Sequence, residues 1–195
     1  MTSHLSPYLQ ATAVIDWNNP TVLSRARKLA AGEVDEMVIT RRCFEWVRDE
    51  IHHSYDYRLN PVTCSASVVL SAGTGFCYAK SHLLAALLRA NGIPAGLCYQ
   101  RLSINEKGPP FSLHGLTAVH LRDFGWYRID PRGNKKGLDA RFEPPVEHLA
   151  FQVRLEGEAD LPDIWAEPRP DVLKALLKYR KWDDLWRHLP DVSLD

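Results

Sequence analysis

The 195-residue sequence has no apolar run approaching the ~18 residues a membrane span needs, so none is expected. It has no C-x-x-C pair. The four cysteines, Cys43, Cys64, Cys77 and Cys98, are separated by 21, 13 and 21 residues, which argues against a structural zinc site. His52-His53 has no histidine partner four residues away and reads as a solvated helix end, not as metal ligands. There is no excess of either charge, with 24 basic and 24 acidic residues, which argues against a general nucleic-acid footprint. Met1 to Gln10 lacks the basic start and apolar block of a secretory signal, so a cytoplasmic location is expected. A reducing compartment makes disulfides unexpected and leaves thiols free for chemistry. No internal repeat, low-complexity block or nucleotide or coenzyme motif is present, and no cofactor is expected.

What is present fits one domain with a full-sized core, at 45% hydrophobic and 25% charged residues. Residues 8–16 read as an edge strand. Asn19-Pro20 is a helix start, and the first helix should end at Gly32. Asp35 caps a second helix, whose stripe Met37, Thr40, Phe44, Val47 and Ile51 has the amphipathic period. Ser54 to Tyr57 reads as extended, and Cys64 to Leu70 as a helical turn. A helix from about Phe76 to Ala90 is apolar on most sides and stops at Asn91-Gly92. Strands are expected over Ala95–Leu102, Leu113–Leu121 and Gly125–Ile129, and a further one over Val146–Leu155. The polar, proline-bearing stretch Ser103 to Ser112 is a binding loop by length and position. Asp171 caps a last amphipathic helix, and Trp182 to Leu189 forms a short one.

The chemistry centres on Gly73-Thr74-Gly75-Phe76-Cys77. A thiol at a helix start lies at the positive end of the helix dipole, which favours the nucleophilic thiolate. On this stretch alone, a nucleophile and a buried structural cysteine are both open. A cysteine nucleophile needs an imidazole base and a group to hold that base. His114 and His120 lie on one face of one strand. The turn near Asp123 and Phe124 pairs positions whose numbers sum to about 246, which sets His120 opposite Trp126 and Asp130 opposite residue 116. His114 is therefore the better partner for Asp130. The bland alternative for Asp130 is an Asp-Pro turn residue bonded to its own backbone.

Gly75-Phe76-Cys77-Tyr78-Ala79, Leu87-Leu88-Arg89-Ala90-Asn91-Gly92-Ile93-Pro94-Ala95 and Gly125-Trp126-Tyr127-Arg128-Ile129-Asp130-Pro131 together resemble the core motif of the transglutaminase-like superfamily. The resemblance covers about residues 8–150. It departs at His114-Gly115-Leu116-Thr117, where the family carries His-Ala-Trp-Val. It implies an α+β, papain-like fold, with a central helix packed on an antiparallel sheet. The domain is expected to span 1–159, and residues 160–195, which lie outside the resemblance, are expected to be a helical extension packed on it. The resemblance implies Cys77 as nucleophile, His114 as base and Asp130 as orienter. Gly75 and Phe76 would border the substrate at the helix start. Tyr55 or Tyr57 would supply a side-chain oxyanion donor, with ordinary aromatic packing as the open alternative.

Two classes of function follow. One is a thiol-dependent amide hydrolase or acyltransferase working through a cysteine thioester, on a peptide or a small amide or thioester. The other is a peptide- or protein-binding module that keeps the fold without catalysis.

Overall fold

In the computed structural model, which describes residues 3–194, Asn19 and Asp35 cap the first two helices as the sequence predicts. The Thr21 N–H donates to the Asn19 side chain at 3.0 Å, and α1 (Pro20–Ala30) stops where Ala31 and Gly32 turn left-handed. The Met37 N–H donates to Asp35 at 2.8 Å, and α2 (Glu36–Glu50) buries Ile39, Thr40, Cys43, Phe44 and Val47.

The next stretch departs from the sequence reading. His52-His53 is not a solvated helix end but a short strand, β1 (His52–His53), and His53 is buried. Ser54 to Tyr57 is not extended but a single helical turn, α3 (Ser54–Tyr57). After α4 (Ala66–Ala72), strand β2 (Thr74–Gly75) pairs in parallel with β1. The cause is non-local. The Thr74 hydroxyl donates to the His52 carbonyl at 3.0 Å and is bonded to the Ser54 hydroxyl at 3.0 Å, so the glycine turn pulls the two histidines into a ladder.

The edge strand expected over residues 8–16 is also absent. Ser3–Leu9 is a 3-10 helix, and the turn after it closes on the Thr12 hydroxyl, which accepts from the N–H groups of Val14 and Ile15 at 3.3 and 3.0 Å. A hydroxyl that bonds nearby backbone competes with strand pairing.

Helix α5 (Cys77–Ala90) is buried from Cys77 through Arg89. It packs on α1, α2 and α4 on one side and on the sheet on the other. Near its end, the buried Arg89 donates to three carbonyls, those of Ala95 (2.9 Å), Gln10 (2.8 Å) and Ala166 (2.6 Å). These charge-assisted bonds tie the N-terminal segment and the 166 region to the helix.

The sheet is built from β3 (Ala95–Ser103), β4 (Phe111–Leu121) and β5 (Gly125–Ile129). The predicted register holds, with His120 opposite Trp126 and Thr117 opposite Ile129. The single strand expected over Val146–Leu155 is shorter. β6 (Arg141–Glu143) and β7 (Val146–His148) make a separate hairpin, and the chain beyond is irregular. Then β8 (Ala159–Asp160), which has no local signal, adds to β3 and gives the order β5-β4-β3-β8.

Helix α6 (Pro170–Lys178) starts two residues before the expected point, because Pro170 takes the first helical position. Asp171 lies within the first turn and pairs with Arg169 at 3.0 Å instead of capping. Val172 and Leu176 of α6 and Leu185 of α7 (Trp182–Trp186) join the apolar cluster that contains α5. Met1, Thr2 and Asp195 of the expected division at 159/160 lie outside the described residues.

The two faces of β4 differ. Thr117 donates to the Ser81 carbonyl at 3.3 Å on the face against α5. On the other face, Leu116 and Ala118 form a small cluster with Cys98, closed by Trp126, Leu149 and Ile164. Gly115 sets the distance between strand and helix. A Cβ there would stand 2.8 Å from the Tyr78 ring and 3.1 Å from the Tyr78 Cα. Gly115→Ala must therefore move helix backbone. It is expected to cost about 1–3 kcal/mol, the range for overpacking, and to lower Tm by several degrees in thermal unfolding. An unchanged Tm would show that the helix start is free to shift.

Candidate active site

Cys77 is the first residue of α5, with Phe76 in extended conformation at the N-cap. The Lys80 N–H makes the first bond of the helix, to the Phe76 carbonyl at 2.9 Å, and the N–H groups before it point out of the helix start. The Cys77 Sγ accepts the Gly115 N–H at 3.5 Å. Two features bring the strand this close. Gly115 has no side chain in the way, and the Tyr78 hydroxyl donates to the Leu113 carbonyl.

His114, next along β4, bonds through Nε2 to the Asp130 Oδ2 at 2.8 Å. The imidazole is electrostatically coupled to the Cys77 sulfur, and His114 adjoins Gly115, whose N–H meets that sulfur, so Cys77, His114 and Asp130 lie together. Asp130 is fully buried and makes two further bonds, from the Arg132 N–H to Oδ1 at 3.0 Å and from the Ala150 N–H to Oδ2 at 3.1 Å. It closes its own Asp-Pro-Arg turn and it also holds the imidazole.

The charges follow from this geometry. Burial alone would lower His114, but the Asp130 charge, the Cys77 sulfur and the bond to Asp130 outweigh it and push the imidazole up to about 10. Burial raises Asp130, and His114 with the two backbone donors overcomes it and holds the carboxyl below its usual range. Burial pushes Cys43 up to about 12 and Cys64 up to about 11, and it also raises Cys98.

The remaining sequence candidates take packing positions. Gly75 pairs with His53, and the buried Phe76 ring meets the His53 ring edge at 5.6 Å. Tyr55 stacks on Trp186 at 3.9 Å and meets Trp182 edge-on at 5.9 Å. Tyr57 stacks on His52 at 4.2 Å and is largely exposed. For both tyrosines this is the ordinary aromatic packing weighed against an oxyanion role. His120 lies at the far end of β4 with its ring on Trp126 at 5.3 Å. His82 is buried and bonded to the Cys64 carbonyl at 2.8 Å.

Several neighbours of His114 carry no local signal in the sequence. Phe151 sets its edge on the imidazole at 5.0 Å. Gln100 lies opposite His114 in the β3–β4 register and donates to Asp160 at 2.9 Å. Counting the β3–β4 hairpin as the β4–β5 hairpin was counted would have found Gln100. Phe151 and Ala150 lie in the irregular chain read as a strand.

Arg132, two residues after Asp130, holds Asp56 at 2.7 and 3.1 Å, and Lys135 reaches the same carboxylate at 2.6 Å. Burial works against ionising Asp56, but these bonds keep it at about 2. Those side chains line a cavity of about 310 Å³ with His53 and Lys80. Burial pushes Lys80 down to about 7, and its ammonium donates to the Arg48 and Ile51 carbonyls at the end of α2.

Among solved structures, the chain is similar to a candidate cysteine protease from Cytophaga hutchinsonii, at 18% identity and a TM-score of 0.53 over 68% of this chain and 43% of that one. It is also similar to the periplasmic domain of TgpA from Pseudomonas aeruginosa, at 21% identity and a TM-score of 0.48 over 64% of this chain and 45% of that one. The chain thus spans less than half the length of either. Among curated proteins none matches it in sequence. No helix among the described residues is long and apolar enough to cross a membrane. A sequence profile of the transglutaminase-like superfamily matches residues 24–131, which include Cys77, His114 and Asp130, and the chain belongs to that superfamily.

Proposed function

We propose that this protein is a cysteine-dependent amide hydrolase or acyltransferase acting on a peptide or small amide. Cys77 is the nucleophile, His114 the acid–base group and Asp130 its orienter. The observation that carries the reading is the buried His114–Asp130 pair set against a thiol at the start of a long helix.

With its proton already held on His114, the Cys77 sulfur attacks the amide carbonyl carbon as the thiolate. The S–C bond forms, and the carbonyl π electrons move to oxygen. Unpaired N–H groups at the start of α5 receive that oxyanion. The C–N bond then breaks as His114 protonates the departing nitrogen, leaving a thioester. In the second half His114 takes a proton from water, or from an acceptor amine, as it attacks the thioester. The C–S bond breaks and the thiol is restored. Asp130 stays ionised throughout, because its bonds to the Arg132 and Ala150 N–H groups favour the charged form.

The His114 shift makes stability depend on pH. Its folded value of about 10 lies above the ordinary 6.5, so the protonated imidazole stabilises the native state. That contribution is complete below about 6.5. It declines as pH rises and is lost past about 10. The difference in Tm between the wild type and His114→Gln should therefore be largest near pH 6 and close towards pH 10. A constant difference across that range would mean that His114 does not hold its proton in the folded state.

The roles are separable by mutation. Cys77→Ala should lose all turnover and all acyl adduct. His114→Ala should be nearly as severe. Asp130→Ala should be milder by roughly tenfold to a hundredfold, as for orienting carboxylates in other triads. His120→Ala should keep most activity, being the same residue type on the same face but at the far end of the strand. The measurements are iodoacetamide labelling of Cys77 against Cys43, Cys64 and Cys98, and the mass of an adduct trapped from a peptide-amide mixture. Equal labelling of the four thiols would remove Cys77 from the chemistry. An inactive His120→Ala beside an active His114→Ala would reassign the base.

A further inference from the structure

The cavity beside α5 has a buried floor and an exposed mouth. Its volume is about 310 Å³, room for roughly ten waters at ~30 Å³ each. Lys80, His53 and Arg132 are buried, while His52, Tyr57 and Lys135 are exposed. The floor adjoins the groups assigned to catalysis on several sides. Cys77 and Lys80 are three residues apart on α5, a spacing that puts Cβ atoms about 5–6 Å apart on one face. The His53 ring meets Phe76, the residue before Cys77, at 5.6 Å. Arg132 sets its guanidinium over the Phe151 ring at 5.5 Å, and the edge of Phe151 meets His114.

Two buried groups on this floor are incompletely matched. The Lys80 ammonium spends two of its three N–H donors on the Arg48 and Ile51 carbonyls, which are neutral. Asp130, Asp49 and Asp56 act on it only from a distance, while burial and then the Arg132 charge work against it. A buried cation without a paired anion is costly. Gly133 keeps space beside it, since a Cβ there would stand 3.3 Å from the Arg48 carbonyl oxygen and 3.5 Å from Nζ. His53 is 6% exposed, and its Nδ1 has no hydrogen-bond partner among the described residues. The nearest carboxylate oxygen, Asp56 Oδ2, is 3.8 Å away, past bonding reach. Burial, then the Arg132 charge, keeps the imidazole neutral, with one N–H to give. The lining carboxylates are already taken, Asp56 by Arg132 and Lys135 and Asp49 by Arg48. With Lys80 charged, the lining carries two more cations than carboxylates, four against two.

We propose that this cavity is a subsite for a carboxylate group carried by the amide substrate, held by the Lys80 ammonium and the His53 Nδ1–H under the charge of Arg132 and Lys135. This rests on the thiol chemistry assigned to Cys77 above and adds the substrate class, an acidic amide. The carboxylate supplies the counter-charge that Lys80 lacks and the acceptor that His53 lacks. Two donors match its two oxygens. A phosphate group, with three oxygens and up to about two charges, would leave oxygens unbonded and press on Asp56. The walls shared with the thiol and the imidazole, through Phe76 and Phe151, argue that the carboxylate belongs to the substrate and not to a separate effector.

The test uses the full chain with Cys77→Ala and two probes that differ in one group, acetyl-glutamate amide and acetyl-glutamine amide. In an NMR titration the acidic probe should shift the Gly133 amide and the His53 ring resonances. It should bind about tenfold or more tighter than the neutral probe, the worth of one charge-assisted hydrogen bond. Equal affinities, or shifts confined to other residues, overturn the proposal. Lys80→Met in the same background should erase the preference, and a variant that folds and keeps it also overturns the proposal. If Lys80→Met does not fold, the probe pair on the parent protein decides alone. The source of the carboxylate is read on the wild type. The acidic probe should slow iodoacetamide labelling of Cys77, and sodium acetate that fills the cavity to the same extent should not. Protection by neither, or by both equally, would make the cavity a site for free anions and overturn the substrate assignment. If Cys77 labels no faster than Cys43, Cys64 and Cys98 with no probe present, the thiol chemistry has failed, and the titration still reads the subsite.

Discussion

The contact on which the rest of the structure depends is the first turn of α5 against the outer edge of β4. Four groups of two β4 residues meet the helix or its neighbour there. The Gly115 N–H goes to the Cys77 sulfur, its carbonyl receives the Ser81 hydroxyl at 3.3 Å, the Leu113 carbonyl receives the Tyr78 hydroxyl, and the Leu113 N–H goes to Pro190. A strand edge left bare in a protein interior leaves main-chain groups unpaired. Here the ladder partner is replaced by side chains of a helix. That substitution places a thiol on the edge of a sheet and its imidazole on the neighbouring residue of the same strand. Gly115 makes it possible, since any side chain at this position meets Tyr78.

Much of this was legible in the sequence, and the legible part is local. The caps at Asn19 and Asp35, the helix from Cys77 to the Asn91-Gly92 stop and the β4–β5 register all follow from neighbours in the chain. The register mattered most. Counting outward from the Asp123-Phe124 turn put Asp130 opposite residue 116, one diagonal from His114, and the two side chains do meet. Leu116, where the family carries an aromatic residue, is fully buried with Cys98 and Ala118. The departure from the family pattern is absorbed by a small apolar cluster.

What the sequence hid depends on partners far along the chain. His52-His53 looks like a helix end until Thr74 bonds it from 22 residues away. The strand at Ala159–Asp160 is two residues long and exists because β3 offers an edge. The segment at Pro190 has no pattern of its own, and its place is set by Leu113 and Arg101. Short polar or irregular segments have little intrinsic preference, so tertiary bonds decide their conformation.

The buried polar groups carry the same logic into the chemistry. Asp130 loses all solvent yet keeps its charge, because an imidazole and two backbone N–H groups replace the water. One of those donors belongs to its own turn. The other, Ala150, comes from the irregular chain that also sets Phe151 against His114. The irregularity after β7 is therefore needed. A regular strand over Val146–Leu155 would spend the Ala150 N–H on a ladder bond and take away one of the three donors that hold the buried carboxylate. The Asp-Pro-Arg turn and the irregular chain are two halves of one cage around Asp130. The cage keeps the carboxylate ionised, the carboxylate keeps His114 protonated, and the protonated imidazole stands ready beside the sulfur.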